Sequence, residues 1–157
     1  MVEVYTDGSK GSSGVGSGIA IFMNKHLTFQ LKYKLAARCS NNQVEQLAIA
    51  KALEEIQNLI YIQGNQWSGT IRTDNKITLD AIANPRNHQN LLEQIRDAIR
   101  RLENNYWTIH FTWVKARNDN YGNELADQLA KESASGCEAE FAYNKIPKST
   151  VIRELTL

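Results

Sequence analysis

Residues 2–7 alternate Val2, Val4 and Thr6 with Glu3, Tyr5 and Asp7, a two-residue period that predicts a β-strand. The Gly/Ser-rich stretch that follows predicts a turn, so Asp7 stands at the strand's C-terminal end. Gly18 to Met23 and Leu27 to Leu35 are β-rich runs parted by Asn24-Lys25, which suggests a hairpin and a three-stranded antiparallel opening. At Ser40 the period changes. Gln43, three residues on, completes a capping-box signature, and Val44, Leu47, Ala48, Ala52, Leu53 and Ile56 recur at helical spacing. Glu45 shares the inward stripe with Ala48, Ile49, Ala52 and Ile56, because residues three, four, seven and eleven apart lie on one helix face. An unpaired carboxylate is costly to bury there, which marks Glu45 for a task other than packing.

Thr70 to Asp74 predicts a short strand closed by an aspartate, followed by a helix from Lys76 to Ala83, a break at Asn84-Pro85 and a helix from Asn87 to Asn104. Trp107 to Val114 predicts a strand with Ile109, Phe111 and Trp113 turned inward and His110 outward. Gly122-Asn123 opens a helix carrying Leu125, Ala126, Leu129 and Ala130, with Asp127 in its early turns. The expected architecture is α/β, a five-stranded mixed sheet of three antiparallel then two parallel strands flanked by helices. In such sheets sites form beyond the carboxyl ends of strands where the strand order reverses, and Asp7 and Asp74 are both placed there.

A chain of 157 residues with 42% hydrophobic content can bury a core without staples, and one domain is expected, residues 1–135, with 136–157 a tail or linker. Its apolar runs fall far short of the roughly 20 residues of a membrane span, so no membrane association is expected. Nothing at the N-terminus has the form of a secretory signal, which leads to an intracellular location, cytoplasm or nucleus, as the expectation. Cys39 and Cys137 are isolated thiols without zinc or redox spacing. The net charge of +1 argues against a tail-driven polyelectrolyte binder, so any nucleic-acid contact must come from local patches. Two are visible: Lys32, Lys34 and Arg38, and Arg96, Arg100 and Arg101.

Read singly, Asp7-Gly8 is a turn, Asp74-Asn75 a helix N-cap and Asp127 a helical surface charge. Read together with Glu45, they could converge at one end of the sheet. Carboxylates about 4 Å apart at an effective dielectric near 20 repel by roughly 4 kcal/mol per pair, so a converged set must protonate or bind cations. Oxygen ligands without thiolate or imidazole select magnesium or manganese.

Tyr5-Thr6-Asp7-Gly8-Ser9, Ser40-Asn41-Asn42-Gln43-Val44-Glu45, Thr73-Asp74-Asn75 and Gly122-Asn123-Glu124-Leu125-Ala126-Asp127 resemble, in order, the four motifs of type 1 ribonucleases H, over about residues 2 to 134. The resemblance implies an endonuclease that cuts the RNA strand of an RNA/DNA hybrid, leaving a 5′-phosphate and a 3′-hydroxyl. It implies two Mg2+ ions, with Mn2+ able to substitute, held by Asp7, Glu45, Asp74 and Asp127. It further implies that Gly8, Ser9, Asn41, Asn42 and Gln43 lie against the substrate, the amides reaching a minor groove lined by 2′-hydroxyls, and that Arg38 and Ser40 grip a phosphate of the DNA strand.

The chain departs from the family at one catalytic position. Most relatives carry a histidine ten residues before the final aspartate, where this chain has Arg117, as some archaeal-type relatives do. Arginine does not shuttle protons near neutral pH but holds phosphate well, which suits positioning of the scissile group or escort of the product. The basic helix and loop that many cellular relatives insert between Asp74 and Trp107 are absent from the sequence. A short, handle-free form with a tail at Tyr143 to Leu157 resembles domains linked covalently to a reverse transcriptase in non-LTR retrotransposon polyproteins, monomeric in isolation. Two other readings remain open: a catalytically silent nucleic-acid-binding module of the same fold, and another nuclease or polynucleotide transferase acting on duplex RNA or DNA. An Arg117→Ala variant is expected to lower turnover of a hybrid; unchanged turnover removes Arg117 from the catalytic set.

Overall fold

The computed structural model describes residues 1–63, 67–115, 120–136 and 140–143, with 60–63 and 140–143 described as backbone only. Strands β1 (Val2–Gly11), β2 (Gly14–Met23) and β3 (His26–Leu35) form the opening meander. Helix α1 (Asn41–Gln63), strand β4 (Trp67–Thr73), helices α2 (Lys76–Ala83) and α3 (Asn90–Asn104), strand β5 (Trp107–Trp113) and helix α4 (Tyr121–Ala134) follow. The five-stranded mixed sheet is as expected, with β1–β3 antiparallel and β4 and β5 parallel to β1. A sixth strand, β6 (Glu140–Tyr143), comes from the segment read as a tail and pairs parallel to β3, giving the order β5-β4-β1-β2-β3-β6.

The glycine stretch expected to be mostly turn is mostly strand. β1 and β2 pair from Val2↔Met23 to Gly11↔Gly14, leaving only Ser12 and Ser13 to turn the chain. At the other end of β2, Asn24 and Lys25 both adopt positive φ (50° and 69°), the backbone of a hairpin turn whose twist matches the flanking strands.

Alternation along β2 sorts the helices onto two faces. Ile19 and Ile21 join Val2, Val4 and the α1 residues Ala48, Ile49, Ala52, Leu53 and Ile56 in the main core, which continues to Leu92, Ile95 and Leu102 of α3. Ala20 packs instead with Tyr5 and Ala126 of α4. Gly16 and Gly18 share that second face, and a β-carbon on either would collide with the α4 backbone or the Ser133 hydroxyl. They are glycine because α4 lies directly on the strand. Ser133 Oγ fixes the contact by donating to the carbonyls of Ser17 (3.2 Å) and Ala130 (2.8 Å).

α3 starts at Asn90 rather than Asn87, because the side chains of Asn84 and Asn87 accept from the amides of Arg86 (3.1 Å) and Gln89 (3.2 Å) and hold the link in turns. Arg96 closes that link: its guanidinium donates to the carbonyls of Ala81, Ile82, Asn84 and Asn87 and to Glu93 Oε1. Trp113, expected inward, is 44% exposed at the last position of β5, while Ile109 and Phe111 pack against the core.

Because α4 touches the backbone at Gly18, Gly18→Ala must displace the helix, a kind of overpacking that costs about 1–3 kcal/mol. Urea denaturation should show a lowered midpoint with unchanged slope; an unaltered midpoint contradicts the seating of α4.

Candidate active site

Register, rather than strand length, brings the two strand-borne aspartates together. β1 continues to Gly11, so Asp7 does not end its strand as expected. The parallel pairing of β1 with β4, however, stops at Thr6↔Thr73, and Asp7 and Asp74 are each the next residue. Adjacent strands lie about 4.8 Å apart, so the carboxylates emerge side by side where the sheet changes from antiparallel to parallel pairing. Asn75 caps α2, its side chain accepting from the Thr78 amide (2.9 Å), which leaves the Asp74 carboxylate out of the cap. Val114 N donates to Thr73 O (2.9 Å) and Trp113 Nε1 to Asp74 O (3.1 Å), so β5 pins the bend that carries Asp74. Sequence reading missed this role for Trp113, whose only signal was its place at a strand end.

α1 delivers the third carboxylate from above. The capping box forms reciprocally, Ser40 N donating to Gln43 Oε1 (2.9 Å) and Gln43 N to Ser40 Oγ (3.1 Å). Ser17 Oγ, buried in β2, donates to the Val44 carbonyl (2.7 Å) and fixes the helix's first turns against the sheet. Gly8 then receives Glu45: its amide donates to Glu45 Oε1 (3.1 Å) and to Asp7 Oδ1 (2.9 Å). A β-carbon at Gly8 would sit 2.7 Å from Val44 Cγ1 and 3.0 Å from Glu45 Oε1, so the position must be glycine for the carboxylate to enter.

Carboxylate oxygens of Asp7, Glu45 and Asp74 lie within 4.8 Å of one another. Asp7 and Glu45 are buried, and Glu45 Oε2 has no hydrogen-bond partner. Burial, reinforced by Asp74 and Asp127, pushes the Asp7 carboxyl up to about 8. Burial with the nearby charges of Asp7 and Asp74 pushes Glu45 up to about 9, and burial raises Asp74 as well. Asp127 stands at the rim of this group, half-exposed on α4, close enough to help raise the Asp7 carboxyl and salt-bridged to Lys131 Nζ at 2.9 Å. Asn120 caps α4 by accepting from the Asn123 amide (3.0 Å), so the helix starts at Tyr121, one residue before the Gly-Asn pair expected to open it. An all-oxygen donor set with an orphaned buried oxygen and mutual repulsion fits hard divalent cations such as Mg2+ or Mn2+.

The family model for RNase H matches residues 1–135. The chain belongs to the RNase H family. Among its curated relatives, the ribonuclease H of Blochmanniella pennsylvanica is 30% identical over 149 residues, covering 85% of this chain and 91% of the relative. That of Pseudomonas fluorescens is 29% identical over 141 residues, covering 82% and 89%. Solved structures share the fold. RNase H1 from Halobacterium salinarum superposes with a TM-score of 0.59 at 21% identity, covering 84% of this chain and 96% of that one. LC11 RNase H1, solved in complex with an RNA/DNA hybrid, superposes with a TM-score of 0.64 at 16% identity, covering 85% and 99%.

Within this RNase H the residues expected to meet substrate surround the carboxylates unevenly. Asn41 and Asn42 are exposed at the start of α1, Gln43 and Ser40 are occupied in the cap, Ser9 is half-buried on β1 and Arg38 is exposed in the β3–α1 link. Arg117 falls in 116–119, outside the described residues. The second basic patch does not form as a free surface: Arg96 is consumed by carbonyls, and Arg100 pairs with Asp97. Lys32 of the first patch pairs with Glu132 at 3.5 Å.

Because Asp7 and Glu45 hold protons in the fold that the unfolded chain releases, stability falls as pH rises from the ordinary carboxylate range toward about 8 and 9. In EDTA, Tm should drop by several degrees between about pH 5.5 and 8.5, and Mg2+ should restore it at the upper end. A flat profile in EDTA contradicts the shared burial of these groups.

Proposed function

We propose that this RNase H is an endonuclease that hydrolyses the RNA strand of RNA/DNA hybrids, leaving 5′-phosphate and 3′-hydroxyl ends. The observation that carries the reading is the gathering of Asp7, Glu45 and Asp74 within 4.8 Å at the sheet's switch point. It is supported by membership of the family and by the hybrid bound to the LC11 relative. Asp7, Glu45, Asp74 and Asp127 would hold two Mg2+ ions, with Mn2+ able to substitute. When bound, such a pair supplies charge to activate a water and to stabilise the leaving oxygen of a phosphodiester.

The chain's own residues prepare that chemistry. The Gly8 amide orients Asp7 and Glu45 through one shared donor, so the two carboxylates are set before ligands arrive. Asn41, Asn42 and Gln43 at the head of α1 read the wide minor groove and its 2′-hydroxyls, with Gly8 and Ser9 beside them. Arg38 and Ser40 hold a DNA-strand phosphate, and Arg117 positions the scissile phosphate or accompanies the product.

The setting of this cleavage is reverse transcription inside a larger polyprotein. The short α2–α3 link, which carries no extra basic helix, and the resemblance of Tyr143 to Leu157 to retroelement sequence support that assignment. A catalytically silent binding module is the second reading, favoured by the departure at Arg117 from the usual histidine.

The test is cleavage of an end-labelled hybrid in Mg2+, with duplex RNA and duplex DNA in the same buffer. RNA-strand cutting confined to the hybrid is expected, falling by at least about 100-fold in Asp7→Asn, the scale of losing a pre-organised electrostatic group. Full activity in Asp7→Asn refutes the site; hybrid binding without cutting in either metal favours the silent module.

A further inference from the structure

α4 places a cation of the protein's own at the edge of the carboxylate group. Lys131 follows Asp127 by one helical turn, and its Nζ lies 2.9 Å from Asp127 Oδ2. The acid precedes the base at i,i+4, the orientation that helix geometry favours. Lys131 is 69% exposed, so the ammonium is held by the pair and not by packing, and the field of Asp7 reaches it as well. Among the described residues, no ion pair engages Asp7, Glu45 or Asp74. The group is therefore asymmetric: three carboxylates without a cation, and a fourth already paired with one.

We propose that Lys131 is a tethered competitor for the Asp127 side of the site, so that divalent ions load in order, first at Asp7, Glu45 and Asp74, then with Asp127 as the ammonium is displaced. The inference rests on the metal-binding reading above and adds to it a residue that sets the affinity of the second ion. Ammonium and dication contend for the same oxygen, and a monovalent charge held near the site also repels an arriving dication. An exposed i,i+4 pair is weak, so displacement is readily achieved and the effect is graded. Competition of this kind fades as salt screens both charges, leaving the first ion unaffected.

The experiment is a Mn2+ titration of the full chain without nucleic acid, followed by the EPR signal of free Mn2+. Wild type, Lys131→Gln, Lys131→Arg and Asp127→Asn are compared at low and high salt. Lys131→Gln should tighten the weaker class of sites by about two- to fivefold, as expected for loss of an exposed charge pair, or bring that class into view. The tighter class should stay within about twofold. Lys131→Arg should retain weak second binding, Asp127→Asn should abolish that class, and high salt should narrow the gap between wild type and Lys131→Gln. Identical isotherms for wild type and Lys131→Gln, or weaker binding in Lys131→Gln, overturn the competitor role while leaving the metal site standing. No Mn2+ binding by the wild type overturns the metal reading itself, and the inference with it. Circular dichroism of Lys131→Gln verifies that α4 is intact, as its exposure predicts.

Discussion

Electrostatic repulsion between carboxylates crowded at one end of a sheet is the constraint around which this molecule is arranged. Asp7 and Glu45 are buried, lie within 4.8 Å of each other and of Asp74, and keep their protons well into the neutral range. No fold gains stability from such a group, because each charge that appears is both desolvated and opposed by its neighbours. The arrangement makes physical sense only if something outside the polypeptide supplies positive charge. Divalent cations would do so, and in binding would release the retained protons.

Holding the group together takes a backbone that approaches itself unusually closely. Gly8 lets the Glu45 carboxylate reach the β1 amide, and Gly16 and Gly18 let α4 lie on β2 so that Asp127 arrives from the opposite face. Hydrogen bonds then fix each support: Ser17 to α1, Ser133 to β2, Asn75 and Asn120 at their helix starts, and Trp113 to the Asp74 bend. The carboxylates are thus pre-positioned by secondary structure, the condition under which electrostatic groups act without reorganising.

Much of this was legible in the chain because local chemistry and tertiary structure agree. The capping box at Ser40 and Gln43 formed as written, and the helical period that placed Glu45 on the inward stripe placed it in the core. The five-stranded mixed sheet followed from the order of elements. What escaped reading depends on contacts between distant segments. The glycines after Asp7 look like turn residues, yet they are strand residues, Gly8 kept small by α1 and Gly14, Gly16 and Gly18 by α4, a fact recorded only in the packing. Asp7 does not end its strand; it sits one residue past a parallel pairing whose register no local pattern encodes. Trp113 left the expected core because its indole serves the Asp74 backbone, and Arg96 left the basic patch because four carbonyls claim it. Strand β6 is four residues long, too short for a periodic signal.

The most direct measurement is anomalous diffraction from crystals of the full chain soaked in Mn2+. The account predicts a peak about 2.1 Å from carboxylate oxygens of Asp7, Glu45 and Asp74, the distance of a hard cation on oxygen ligands. Crystals of the intact protein, at neutral pH and millimolar Mn2+, that show no anomalous density among these three side chains would contradict it.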